Sequence, residues 1–294
     1  MSHAHASEAG NIRPVRIAFL ITALFTVVEA VGGLLTNSLA LIADAGHMLT
    51  DSMALGLALL AFRVSSRPAD TLRSYGYHRF QILAAFVNGL ALIGIVLWIL
   101  VEAVQRFQSP PEVRGLAMMY IALAGLVVNV VSFLVLHSGD RDNLNIQGAA
   151  LHVLGDLLGS VAAIAAAVVI LWTGWMPIDP ILSVAVALLV LRSALVIVRK
   201  SAHILLEGAP EWFDVDEMKT RVMRAVPDVS DVHHVHVWGL TQQRLMLTMH
   251  VVLKAQGPDN TGTLRAIKNL LSADYGIEHT TIEVESDDCA DHVH

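Results

Sequence analysis

Apolar positions along this chain gather into six long blocks, at about residues 14–35, 40–62, 80–107, 114–136, 145–173 and 177–198. Each reaches or exceeds the roughly 20 residues that a helix needs to cross a hydrocarbon core, which predicts six transmembrane helices. Thr36-Asn37-Ser38 leaves a very short connection between the first two, and Gly174 and Pro177 punctuate the last pair. The first block is too long for a cleaved signal peptide and has no small-x-small cleavage site before Glu29. Beyond residue 200 the pattern changes. Residues 214–226 have helical periodicity, with Val215, Met218 and Val222 on one side. Val229–Trp238 and Arg244–Lys254 read as paired strands, Thr263–Ala273 as a second helix and Glu278–Glu285 as a third strand. This α-β-β-α-β order predicts a small ferredoxin-like α/β domain. The chain then divides into an N-terminal tail (1–13), a six-helix membrane domain (14–200), the α/β domain (201–286) and a C-terminal tail (287–294). The α/β domain buries only a modest core, so pairing with a second copy would support it.

Composition agrees with the membrane reading. Apolar residues are 55% and charged residues 15%, and the mean hydropathy is +0.60, outside the ordinary soluble range. The net charge of −7 is unevenly spread: residues 1–200 hold 12 Lys/Arg and 11 Asp/Glu, residues 201–294 hold 7 and 15. An acidic C-terminal domain raises the local cation concentration and argues against nucleic acid as a partner. Arg13, Arg16, Arg63, Arg67, Arg73, Arg79, Arg141, Arg199 and Lys200 fall on one set of loops, against Arg106 and Arg114 on the other. The positive-inside rule therefore places both termini in the cytoplasm. Cys289 is the single cysteine, which excludes an internal disulfide and fits a reducing compartment.

The chemistry lies inside the apolar blocks. His47-Met-Leu-Thr-Asp51 in the second and His152-Val-Leu-Gly-Asp156 in the fifth each place an imidazole and a carboxylate at helical i, i+4 spacing. An ionisable residue at membrane depth costs roughly 2.5–3.5 kcal/mol on insertion scales, so four of them signal function. A polar network that only locks helices together gains about 0.6–2 kcal/mol per hydrogen bond, too little to favour four such groups. Two nitrogens and two oxygens form a tetrahedral set suited to zinc. Asp44, three residues before His47, is placed to orient its imidazole or to pack helices. Asn88 and Asn129 read as interhelical hydrogen-bond formers, and Glu29 and Glu102 as groups reaching the membrane interface. An intramembrane metallohydrolase would need an open metal position and a general base, and no His-Glu-x-x-His is present. A membrane zinc sensor would need an output module, and none follows. In the α/β domain, strand alternation puts His234 and His236 on one face and His233 on the other.

Ser38-Leu-Ala-Leu-Ile-Ala-Asp-Ala-Gly-His47-Met-Leu-Thr-Asp51, Ser74-Tyr-Gly-Tyr77, Ala84-Ala-Phe-Val-Asn88, His152-Val-Leu-Gly-Asp156, Leu205-Leu-Glu-Gly208 and Asp231-Val-His-His-Val-His-Val-Trp238 carry a resemblance. From about residue 14 to 286 the chain resembles the cation diffusion facilitators, in particular bacterial zinc efflux transporters. The resemblance implies a multi-pass homodimer of the bacterial inner membrane that exchanges Zn2+ for protons. No cofactor or enzyme activity is implied. It maps His47, Asp51, His152 and Asp156 to the transport site. His233, His250 and His279 fall on regulatory zinc positions, with Glu285 as a fourth ligand. It also pairs Arg79 with Glu207. Zinc-selective members carry His-x3-Asp on span two where manganese- or iron-tolerant ones carry Asp-x3-Asp. A further zinc site in the loop after span two needs histidines where this chain has Arg73 and Tyr77, although Asp70 and His78 stand nearby. The terminal His3, His5, His292 and His294 are left as the metal-capturing groups.

Overall fold

The computed structural model describes residues 4–49, 69–137, 144–254 and 260–285, with Ser52 and Val64; side chains are described at 20–49, 69–135, 157–254, 260–285 and those two positions. The chain divides into two compact units, one of residues 1–60 and 84–198, the other of 61–83 and 199–294.

The first unit is helical: α1 (Ala4–Thr36), α2 (Leu39–Leu49 in its described part), α3 (Arg79–Gln108), α4 (Gly115–His137), α5 (Leu144–Thr173) and α6 (Ile178–Leu205). Among the described residues α3, α4 and α6 are long and apolar enough to cross a membrane, and α1, α2 and α5 carry shorter apolar stretches. α1 begins at Ala4, inside the segment expected to be a tail. Its extra turns need only backbone hydrogen bonds, and Ala4, Ala6, Glu8 and Ala9 are good helix formers. The surface is inverted relative to a soluble protein. Trp172 is 86%, Leu24 71% and Leu189 61% exposed, whereas Glu29, Asn129, Ser132, Ser160, Asp179 and Ser183 are 0% exposed. Helices solvated by lipid show this arrangement, apolar outside and polar groups within the bundle. Glu29 is therefore interior and does not reach the interface.

α2 is central to this unit. Leu39 and Ala43 pack with α3 and α6 around Leu92, Val96, Ile99 and Ala187. Ala40 and Leu41 face α4 and α5 around Met118, Ala122, Ala163 and Ala167. The small alanines let the backbones approach closely, which drives helix association in lipid. Asn129 donates to Ser160 Oγ at 3.2 Å and ties α4 to α5, the interhelical role expected of it.

The α1–α2 corner explains the short connection. Asn37 takes a left-handed φ of 57°, which Asn tolerates, and Ser38 N–H returns to Gly33 O at 3.0 Å to close α1. The start of α2 is then capped by a residue distant in sequence, Asp179 in the first turn of α6. Its carboxylate accepts Ser38 Oγ–H at 2.6 Å, Leu39 N–H at 2.7 Å and Ala40 N–H at 3.2 Å, all buried. Buried carboxyl oxygens on a helix N-terminus satisfy its orphan N–H donors. Asp179→Ala is expected to lower stability by about 3 kcal/mol, because the cap donors are left buried and unpaired. Thermal unfolding in detergent measures this, and an unchanged midpoint would contradict the capping role.

The second unit holds α7 (Val215–Ala225), β1 (Val229–Gly239), β2 (Leu245–Leu253), α8 (Thr261–Tyr275) and β3 (His279–Glu285), each within two residues of the sequence expectation. Asp214 caps α7 by accepting the N–H groups of Asp216 and Glu217. α8 ends on Gly276, whose φ of 66° favours glycine. The sheet order is β1-β2-β3, with β1–β2 antiparallel and β2–β3 parallel. Met218 and Val222 of α7 and Ile267 and Leu271 of α8 cover Leu247, Met249 and Val251 of the central strand.

Candidate metal centres

The membrane candidate begins at His47, partly buried on α2, one turn beyond the buried Asp44. Asp44 lies against Gly159 of α5. Gly159 follows Asp156 by three residues and His152 by seven, so all three positions share one face of α5. The structure thus brings together the helix of His47 and the helix of His152 and Asp156. The side chains of His152 and Asp156, and Asp51 altogether, lie outside the described residues, as do His3, Cys289, His292, His294 and the side chain of His5.

The second candidate is built on the sheet. His233 of β1 stands opposite His250 of β2, which stands opposite Glu283 of β3. Between His233 and His236 the ladder shifts register, and His234 takes a φ of 47°. This bulge corrects the alternation expected from sequence: the inserted residue turns His234 toward the side of His233. His233, His234 and His250 each offer a ring nitrogen within 4.8 Å of the others. Glu285 stands beside two of the three, with Oε2 2.9 Å from His233 Nε2 and Oε1 2.9 Å from His250 Nδ1. Asp231 lies 3.0 Å from His233 Nδ1 and is placed to orient that ring. Three imidazoles and a carboxylate suit zinc.

His279 stands elsewhere. It opens β3, paired with Met246, six residues before Glu285 and so about 20 Å along the strand. Its ring meets Tyr75 edge-on at 5.9 Å, and it lines a cavity of about 760 Å³ with Ser74, His78, Arg244 and Glu278. His234→Ala is therefore expected to weaken zinc binding at the sheet by about tenfold or more, and His279→Ala to leave it within about twofold. Calorimetry on purified protein carrying Asp51→Ala checks both, and the reverse ranking would contradict this ligand set.

The loop before α3 is held by its own charges. Tyr77 donates to Asp70 Oδ2 at 2.8 Å, the N–H groups of Leu72 and Arg73 reach Asp70 Oδ1, and the Arg73 guanidinium lies 4.8 Å from the Tyr77 ring centre. The Tyr77 hydroxyl and the Arg73 N–H hold the Asp70 carboxyl below the usual range. An arginine, and not an imidazole, thus faces Asp70. The Arg244 guanidinium contacts His78 Nε2. Burial, then the Arg244 charge, lowers the His78 pKa. Arg79 and Glu207 form the expected ion pair at 3.0 Å. Both are partly exposed, so it contributes at most about 1 kcal/mol.

Comparison with known proteins follows the same division. A cation efflux transmembrane domain matches residues 15–206, and a cation efflux protein cytoplasmic domain matches residues 210–287. The chain is 51% identical over 293 residues to the zinc transporter ZitB of Shigella flexneri, covering 98% of this chain and 93% of that protein. It is 42% identical over 287 residues to the metal cation efflux system protein CzcD of Cupriavidus metallidurans, covering 98% and 90%. It is 43% identical over 291 residues to the cadmium, cobalt and zinc/H(+)-K(+) antiporter of Bacillus subtilis, covering 98% and 93%.

Proposed function

The chain belongs to the cation efflux family, and on that premise we propose that it exports Zn2+ from the cytoplasm in exchange for protons. It is a transporter of the membrane and not an enzyme. Its relatives are named for zinc, for metal cations and for proton-linked antiport, which supports the cargo and the coupling. The observation that carries the site is the packing of α2 on α5, which sets His47 beside the helix of His152 and Asp156.

In this reading six helices cross a bacterial inner membrane with both termini in the cytoplasm. Two copies pair through the second unit, matched as a cytoplasmic domain. That unit is a ferredoxin-like fold lacking its first strand. Without that strand the last strand lies beside the second unit's β2 in parallel, as observed.

His47 and His152 supply neutral imidazole nitrogens, and Asp51 and Asp156 supply carboxylate oxygens, to one Zn2+. The same set accepts Cd2+, Co2+ and Ni2+. Zinc binds only unprotonated imidazole, so loading from the cytoplasm displaces protons and protons arriving from outside displace zinc. Each conformation carries one cargo or the other. On the sheet, zinc held by His233, His234, His250 and Glu285 reports cytoplasmic zinc and regulates transport. Uptake of zinc by inverted membrane vesicles tests the reading: accumulation above that of vesicles lacking the protein is expected, and equal accumulation would refute it.

A further inference from the structure

Gly159 has an unusual neighbour. A Cβ built on it would lie 2.2 Å from Asp44 Oδ1, 2.7 Å from Asp44 Cγ and 3.0 Å from Asp44 Oδ2. A side chain there would therefore strike a whole carboxylate. Gly94, by comparison, has nothing within 4 Å, and Gly89 and Gly125 meet aliphatic or aromatic side chains first. Asp44 is 1% exposed, so its carboxylate cannot simply turn out of the bundle. One turn earlier on α2, Ala40 and Leu41 are already packed with Ala163, Ala166 and Ala167 of α5. An added methyl would have to displace the buried carboxylate, part the two helices, or both.

The position of the contact gives it consequence. Asp44 precedes His47 by three residues, and Gly159 follows Asp156 by three. Successive spans alternate in direction, so the second and fifth run antiparallel, and the N-terminal side of His47 lies at the same level as the C-terminal side of Asp156. The contact thus stands one helical turn, about 5 Å, from His47 and Asp156, the nearer member of each ligand pair, on the same side. Zinc sites tolerate only about 0.2 Å of error in ligand distance.

We propose that Gly159 is a positioning residue for the transport site. Its missing side chain lets the Asp44 carboxylate seat on α5, and this seating fixes the α2–α5 separation at which the four ligands meet on one ion. The proposal rests on the transport-site reading above.

The test is zinc titration of full-length, detergent-solubilised protein by calorimetry, with His233→Ala and His250→Ala present so that only the membrane site reports. Gly159→Ala is expected to weaken zinc binding about tenfold or more. Cd2+, the larger ion, should lose less than Zn2+ if the ligands have moved apart. In an Asp44→Ser background, where the carboxylate is gone, Gly159→Ala should cost less than about twofold. Equal cost in both backgrounds, or unchanged affinity in Gly159→Ala, would overturn the proposal. Should Gly159→Ala fail to give a folded dimer, recovery of the dimer by Asp44→Ser supports the contact, and no recovery overturns it. His47→Ala separates the two levels of inference. Wild-type affinity in that variant would refute the transport site itself, whereas lost affinity there with normal affinity in Gly159→Ala would refute only the positioning role.

Discussion

Asp51→Ala and Asp156→Ala are each expected to stop zinc transport while leaving a folded dimer. In the proposed site either change would take one oxygen from a four-ligand shell and leave two imidazoles and a single carboxylate facing a divalent ion at membrane depth. Loss of even an outer-shell partner costs about 10–100-fold in metal affinity, so loss of a direct ligand must cost at least that. The apolar layers around Ala43, Leu92 and Ala163 keep all of their own side chains in either variant, so assembly should survive. Zinc flux in reconstituted vesicles and gel filtration in detergent read the two outcomes separately. Near-normal flux in either variant would remove that carboxylate from the transport site.

His47→Asp should instead change which ion moves. The site would then offer three carboxylates and one imidazole, a harder and more anionic set that favours Mn2+ and Fe2+ relative to the parent site. The large effect is expected in the ratio of manganese to zinc flux, and a competition assay with both ions present measures it directly. A variant that transports zinc and still rejects manganese would show that His47 does not set selectivity.

Much of the second unit was legible in the sequence because its signals are local. The periodicity of Val215, Met218 and Val222, the Asp214 cap and the glycine after α8 each act within one element. Helices α3, α4 and α6 announced themselves by length and apolarity alone. What escaped the sequence depends on distant contacts or on a break in a local rule. His234 was assigned to the wrong face because alternation holds only for a regular ladder, and one left-handed residue breaks it. The signal was faint: two adjacent histidines between Val232 and Val235, where strict alternation would put one of the pair on the apolar face. His279 was grouped with the sheet histidines by resemblance, although its register sets it against Met246 at the far end of β3. Asp179 shows the same limit. An acidic residue at the edge of the sixth apolar block was visible, but its three bonds are to residues roughly 140 positions earlier. Gly159 carries no sequence signal in its alanine-rich helix; only the Asp44 carboxylate pressed against it sets it apart.

Zinc–proton exchange is tested most directly in acid-loaded proteoliposomes, with zinc added outside and luminal zinc and pH recorded together. The lumen is set between about pH 6 and 7.5, the range around the titration of free imidazole. The account predicts that zinc enters, that the lumen turns more alkaline as it does so, and that entry slows when the pH gradient is collapsed. Zinc entry with no change in luminal pH, at a rate indifferent to the gradient, would contradict exchange and leave a simple facilitated carrier.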